Sequence, residues 1–230
     1  MHKLFVVGLG PGGADGMTVR AKNVLEACDV IVGYTVYIDL VRDAFPDKTY
    51  LSTPMRKEVD RVRLALETAS TGKTVAMICS GDAGVYGMSG LCEELLHEYP
   101  GVELITVPGV SAVLSGAALL GAPLMHDFAV ISLSDLLTPW EKIEKRLDMA
   151  ARADFCIAIY NPSSHRRADY LKRACKILLR SKAEETVCGI VRNIGRDGEE
   201  MQTMTLSQLL TYEADMFCTN KCDLFIINSL

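Results

Sequence analysis

Residues 80–87 read SGDAGVYG and follow the apolar run TVAMIC at 74–79. A strand-like run ending in closely spaced glycines marks a turn where backbone can approach a ligand, because glycine puts no side chain in the way. Two further turns have the same form. KLFVVGL at 3–9 leads into GLGPGG at 8–13, and VELITV at 102–107 leads into VPGVSA at 107–112. Strand, glycine turn and helix-period segment repeat along this half of the chain, which predicts a parallel sheet covered on both faces. Ligands of such open sheets gather at the carboxyl ends of strands, so all three turns are expected on one edge of one sheet.

The rest of the first half fits that frame. MTVRAKNVLEACD (17–29) reads as a helix and VIVGY (30–34) as a strand. RKEVDRVRLALETA (56–69) is a second helix, with Val59, Val62, Leu66 and Ala69 at helical spacing. Further helices are predicted to start near Tyr86 and Ser111. Gly121 and Pro123 in GAPLMHD interrupt the pattern and predict a tight hinge between a lobe at 1–122 and a second at 123–230. In the second lobe FAVISL (128–133), FCIAIY (155–160), TVCGIVRN (186–193), EMQTMT (200–205) and DLFIIN (223–228) are strand candidates. A helix is expected across RADYLKRACKILL (167–179), and another at TPWEKIEKRL (138–147) with Thr138 as cap, Pro139 at the first position and Glu141 closing a capping box. Two strands in close succession near the end predict a mixed sheet. The fold class is thus α/β, a parallel-sheet lobe followed by a mixed-sheet lobe.

Composition narrows the partners. The 230 residues carry 24 Lys and Arg against 29 Asp and Glu, a formal charge of −5, which offers no footprint for nucleic acid. No apolar run is long enough to span a bilayer, and MHKLFVVGLGPGG turns glycine-rich too soon for a signal peptide. Cys79, Cys156 and Cys188 lie in strand-like runs, where a thiol acts as a small hydrophobe, so a reduced, cytoplasmic protein without membrane attachment is expected. CTNKC brings Cys218 near Cys222 but lacks a second ligand pair, and no metal site is predicted.

What the glycine turns bind can be tested against known loops. GLGPGG matches the G-x-G-x-x-G pattern of dinucleotide sites through Gly8, Gly10 and Gly13. Pro11 removes a backbone N–H that a pyrophosphate would want, and VIVGY ends without an acid for a ribose, Asp39 lying too far on. SGDAGVYG has no Gly-Lys-Ser/Thr, and Asp82 puts negative charge where a phosphate would sit. A neutral or cationic ligand rich in hydroxyl and amino groups suits one carboxylate and several carbonyls, and S-adenosylmethionine is such a ligand. The alternative is that Gly81, Gly84 and Gly87 only make a tight turn.

Taken together, VGLGPGG, SGDAGVYG and PGVSA resemble the tetrapyrrole methylases, enzymes of two α/β lobes that use S-adenosylmethionine. HDFAVISLSDLLTPWEKIEKRL, IYNPSSHRR and VRNIGRDGE extend the likeness to the branch that methylates carbon 17 of precorrin-3B or cobalt-factor III, with ring contraction, in cobalamin biosynthesis. Gly13 stands where many relatives acting on earlier tetrapyrroles have Asp, which also suits that branch. The resemblance implies S-adenosylmethionine contacts from Pro11, Ser80, Gly81, Asp82, Val85, Tyr86, Ser111 and Ala112, and from Tyr160, Asn161, Arg192 and Asn193 in the second lobe. It further implies a tetrapyrrole substrate and a homodimer.

Carbon methylation is an in-line displacement that needs positioning more than a protein nucleophile. Ring contraction also moves a proton, and His126, Asp127 and Asp135 are the acid–base candidates, with Ser132, Ser134 and Thr138 beside them in sequence. Acetate and propionate arms call for a basic rim. Arg56, Lys57 and Arg61, and His165, Arg166 and Arg167, supply one. Arg56 and Arg166, at loop-to-helix junctions, are the expected grips, while Arg61 and Arg167 read as solvated helix positions. A methylase of another tetrapyrrole position, a dinucleotide-dependent oxidoreductase and a non-catalytic corrinoid- or nucleotide-binding module are the competing readings.

Overall fold

Strand β1 (His2–Gly8) sends Leu4 and Val6 to one face and Val7 to the other, all fully buried, because a strand's side chains alternate and this one is covered on both sides. The structure, a computed structural model, describes residues 2–162, 168–212 and 224–227. The chain divides into two compact units, Met1–Ala112 and Val113–Leu230.

In the first unit β1 is followed by α1 (Val19–Ala27), β2 (Val30–Tyr34), α2 (Thr35–Asp39), β3 (Thr49–Thr53), α3 (Glu58–Ser70), β4 (Val75–Cys79), α4 (Ser89–Leu96) and β5 (Val102–Val107). The strands form one parallel sheet in the order β3-β2-β4-β1-β5. On one face Leu4, Val6 and Met77 pack with Val62 and Leu66 of α3; on the other Val7, Ile31 and Ile78 pack with Leu25 of α1 and Ile38 of α2. Each such Leu or Ile contributes about 1.5–3 kcal/mol through burial. Because every strand runs the same way, the turns after β1, β4 and β5 share one edge, as the sequence pattern predicts.

The second unit holds α5 (Ala112–Leu119, all but its first residue), β6 (Phe128–Ser132), α6 (Trp140–Arg152), β7 (Cys156–Tyr160), α7 (Tyr170–Leu178), β8 (Val187–Arg192), β9 (Glu200–Thr205), α8 (Leu206–Thr211) and β10 (Leu224–Ile227). Its sheet runs β6-β7-β10-β8-β9. β6 and β7 are parallel, β10 is antiparallel to β7 and β8, and β9 is antiparallel to β8, so the sheet is mixed. It follows that β6, β7 and β8 point the same way and that Ser132, Tyr160 and Arg192 end on one edge. Ile143 and Leu147 of α6 and Leu171, Ala174 and Leu178 of α7 close the core over the strands.

α5, placed with the first lobe by the sequence reading, groups with the second unit. The Val113 backbone N–H donates to the Tyr160 hydroxyl at 2.9 Å, and a side chain at Gly189 of β8 would strike Leu120 at 2.4 Å. Three local expectations differ from the structure. β3 escaped the pattern because KTYLST is short and only partly buried. α4 starts at Ser89 rather than near Tyr86, since the Asp82 side chain holds the preceding residues in a turn. Thr138 does not cap α6. Pro139 is extended, with ψ 144, and occupies the cap position itself, so the helix starts at Trp140 and Thr138 stands one residue too early.

Candidate active site

The three glycine turns of the first unit meet backbone to backbone. Gly10 and Gly81 exchange hydrogen bonds, Gly10 N–H to Gly81 O at 3.0 Å and Gly81 N–H to Gly10 O at 2.7 Å. Gly109 lies so close that a β-carbon there would stand 2.3 Å from Gly81 O and 2.6 Å from Gly8 O. Only glycine permits this approach. Asp82 fastens the assembly: Oδ1 accepts from the N–H groups of Gly84 (2.8 Å) and Val85 (3.1 Å), and Oδ2 accepts from Gly109 N–H (3.0 Å). One carboxylate thus ties the turn after β4 to the turn after β5, and carries the charge-assisted kind of bond that holds best. Thr18 adds a tie from the first turn, capping α1 through Ala21 N–H at 3.1 Å while its hydroxyl donates to Pro108 O at 3.3 Å.

The remaining candidates of this unit stand around that frame. Pro11 follows Gly10, and Ser80 precedes Gly81. Val85 and Tyr86 are 38% and 53% exposed. Tyr86 holds a left-handed backbone, φ 54, uncommon for a bulky side chain. Ser111 is buried and Ala112 opens α5. No dinucleotide helix starts on GLGPGG: a single 3-10 turn (Ala14–Gly16) intervenes, and α1 begins only at Val19. Arg56, φ 65, sits exposed in the turn between β3 and α3. Arg61 corrects the reading of a solvated helix face, because it is only 5% exposed.

In the second unit the carboxyl edge of β6, β7 and β8 gathers side chains rather than glycines. Ser132 Oγ accepts from Asn161 Nδ2 at 2.9 Å and from Ser134 N–H at 3.2 Å. Asn161 and Asn193, with φ of 52 and 49, turn the chain directly after β7 and β8, and Asn193 Nδ2 donates to Gly198 O at 3.0 Å. Arg192 donates to the Tyr212 hydroxyl, with its guanidinium 5.6 Å from that ring's centre. Asp135 Oδ2 accepts from the Tyr170 hydroxyl at 2.6 Å. That bond, followed by desolvation, raises the Tyr170 pKa above its ordinary 10.0. Tyr170 in turn packs against Trp140 at 4.5 Å, and Arg173 lies 3.9 Å over the indole.

The structure brings Ser132, Asp135, Tyr160, Asn161, Arg192 and Asn193 to one edge of their sheet and does not bring His126 and Asp127 there. Those two precede β6, at its amino end, where Cys156 N–H donates to Asp127 O. A strand of five residues separates them from Ser132, about 17 Å at 3.3 Å per residue. Closeness in sequence had suggested a shared site, but a strand carries its two ends to opposite edges. Arg166 lies outside the described residues, as do Cys218 and Cys222. Among the described residues no group of three or more His, Cys, Asp or Glu is placed to hold a metal ion. Tyr212, Tyr170, Trp140 and Arg173 were missed in the sequence; their partners lie about 20 to 35 positions away, or on a helix face like any other, and no short motif marks them.

Residues 3–210 match the model of the Tetrapyrrole (Corrin/Porphyrin) Methylases. The chain belongs to this family. Among its relatives is a cobalt-factor III methyltransferase of Priestia megaterium, 47% identical over 94% of this chain, of whose length the chain spans 41%. A probable cobalt-factor III C(17)-methyltransferase of Salmonella typhimurium is 46% identical over 93% of this chain and 89% of its own. Among solved structures of the family's fold, the methyltransferase CobJ superposes with a TM-score of 0.90 at 35% identity, covering 100% of this chain and 95% of that one. The α/β class with one parallel and one mixed five-stranded sheet is therefore that of the tetrapyrrole methylases.

Proposed function

We propose that this chain transfers a methyl group from S-adenosylmethionine to carbon 17 of cobalt-factor III, or of its metal-free counterpart precorrin-3B, and promotes contraction of the ring, as a step of cobalamin biosynthesis. The observation that carries the cofactor is the three-turn frame held by Asp82. It offers backbone carbonyls and N–H groups, two exposed apolar side chains at Val85 and Tyr86, and one anchored carboxylate. None of the turn residues at 8–13, 80–87 or 107–112 is basic, so the frame suits a sulfonium, a ribose and an amino acid better than a pyrophosphate. The names carried by the relatives support the choice of macrocycle and carbon.

S-adenosylmethionine supplies an electrophilic methyl on sulfur. Pro11, Ser80, Gly81, Ser111 and Ala112 belong to the three turns and are assigned to orienting the cofactor; Tyr160, Asn161, Arg192 and Asn193, at the carboxyl edge of the second sheet, are the further cofactor contacts that the family resemblance implies. The electron-rich macrocycle is the nucleophile, so orientation carries most of the catalysis. Asp135 is the acid–base candidate assigned to the proton moved in ring contraction, since it stands at the carboxyl edge with Tyr170 donating to it. Ser132 ends β6 and Thr138 lies in the loop that follows it; these two, with Arg56 and Arg166, are assigned to the substrate.

The six cysteines of the described residues are buried and unpaired, and burial pushes their thiols up to about 11 or about 12, which fits a reducing cytoplasm. No helix among the described residues is long and apolar enough to cross a membrane. A homodimer is the proposed assembly, to be checked by light scattering. The reaction is tested by giving the purified protein S-adenosylmethionine with cobalt-factor III or precorrin-3B and following product mass and absorption spectrum. One added methyl and a changed spectrum are expected; no mass increase with either macrocycle would refute the assignment.

A further inference from the structure

Arg61 is a buried cation. Its Nη2 donates to Pro54 O at 3.1 Å and its guanidinium stands 5.8 Å from the centre of the Tyr34 ring, but its Nε is sealed from solvent and has no acceptor among the described residues. No ion pair joins it to a carboxylate among the described residues. The hydroxyl of Thr53, the residue just before Pro54, is likewise buried and without a partner among the described residues. Leaving a buried polar group unsatisfied is costly, and leaving a buried charge so is costlier still. Two unfilled groups flanking one proline are therefore the mark of a ligand, or of a bound water.

Their position favours a ligand. Thr53 ends β3, Tyr34 ends β2, and Arg61 reaches them from the second turn of α3, all at the same carboxyl edge as the glycine frame. The charge of Arg61 is also felt at Cys79, the end of β4, where burial raises the thiol to about 11 and the arginine opposes that rise. The sheet order β3-β2-β4-β1-β5 thus separates the edge into two parts: the frame over β4, β1 and β5, and the Arg61 cluster over β3 and β2. An N–H and an O–H that both lack acceptors complement a carboxylate oxygen pair, and a guanidinium grips such a group with two N–H bonds.

We infer that Arg61 and Thr53 form a carboxylate subsite that receives an acetate or propionate arm of the macrocycle. This deepens the reading above and rests on it for the identity of the substrate. The test uses Arg61→Gln, Arg61→Lys and Thr53→Val in the full chain. Each is titrated with S-adenosylhomocysteine, assayed for methyl transfer to cobalt-factor III, and titrated by fluorescence quenching with uroporphyrin III, a stable macrocycle bearing an acetate and a propionate on every ring, and with its fully amidated form. Affinity for S-adenosylhomocysteine should stay within about twofold, while KM for cobalt-factor III and Kd for uroporphyrin III rise about tenfold or more in Arg61→Gln and about threefold in Thr53→Val. Arg61→Lys should fall between, and the amidated porphyrin should not distinguish the variants. If Arg61→Gln does not fold, the other two variants carry the same readout.

Unchanged KM and uroporphyrin affinity in a variant that binds S-adenosylhomocysteine would overturn the subsite and leave a buried water there. A parallel loss of S-adenosylhomocysteine binding would overturn it too, making Arg61 a part of the frame. A wild-type protein that binds uroporphyrin III through Arg61 but methylates neither cobalt-factor III nor precorrin-3B would instead refute the carbon-17 reading and leave the subsite standing.

Discussion

The carboxyl edges of the two sheets are built by opposite means. In the first unit Gly8, Gly10, Gly81 and Gly109 bring main chains into contact, and the Asp82 carboxylate and the Thr18 hydroxyl fasten them. In the second unit Ser132 with Asn161, Asp135 with Tyr170, and Arg192 with Tyr212 make the edge from side chains. A backbone frame tolerates almost no added volume but is indifferent to most chemistry around it. A side-chain edge tolerates small changes of shape and depends on each donor and acceptor.

That contrast can be broken at graded points. Gly109→Ala forces a β-carbon to 2.3 Å from Gly81 O, with only backbone to yield. The strain is expected to reach about 3 kcal/mol, lowering Tm by roughly 10 °C in a scanning melt and abolishing binding of S-adenosylhomocysteine. Asp82→Ala removes the acceptor of three N–H groups and should cost about 2 kcal/mol. Asp82→Asn keeps one oxygen but turns an amide donor toward an N–H, and is expected to fall between wild type and Ala by thermal melt. A Tm loss as large as that of Gly109→Ala would show that the carboxylate, not the glycine contact, holds the frame.

In the second unit Ser132→Ala deprives Asn161 Nδ2 and Ser134 N–H of their acceptor. About 1 kcal/mol is expected, a shift of a few degrees in Tm, because water reaches the exposed Asn161. The smallest effect is that of Tyr170→Phe. The hydrogen bond to Asp135 raises the Tyr170 pKa above 10.0, so the folded protein holds that proton more tightly than the unfolded chain. The associated stability is present below pH 10 and is lost as pH rises through the folded value. Melts from pH 8 to 11 should therefore show the wild type above Tyr170→Phe at pH 8 and the two converging at the alkaline end; a constant gap would contradict this.

The same contrast decides what the sequence made legible. Glycines at strand ends announce a backbone frame directly, because at Gly8, Gly10 and Gly109 a β-carbon would strike backbone, and GLGPGG, SGDAGVYG and PGVSA located that edge without any structure. The strands of both sheets were legible from apolar runs, except β3, which is short and half-covered. The side-chain edge was harder. Tyr160, Asn161, Arg192 and Asn193 were reached through resemblance, Ser132 and Asp135 through their closeness in sequence to other polar residues, and Tyr212 and Tyr170 were not reached, since a hydroxyl's partner 20 or 35 positions away leaves no local pattern. His126 and Asp127 show the converse: neighbours of Ser132 along the chain, they are carried to the far edge by one strand. Arg61 looked like any charged helix residue, and only its burial shows otherwise.

Calorimetric titration of the wild type and of Asp82→Ala with S-adenosylhomocysteine and, in parallel, with NAD tests the glycine-and-carboxylate frame most directly. Binding of S-adenosylhomocysteine by the wild type, weakened about tenfold or more in Asp82→Ala and unmatched by any heat with NAD, is the predicted result. Binding of NAD without S-adenosylhomocysteine would contradict it.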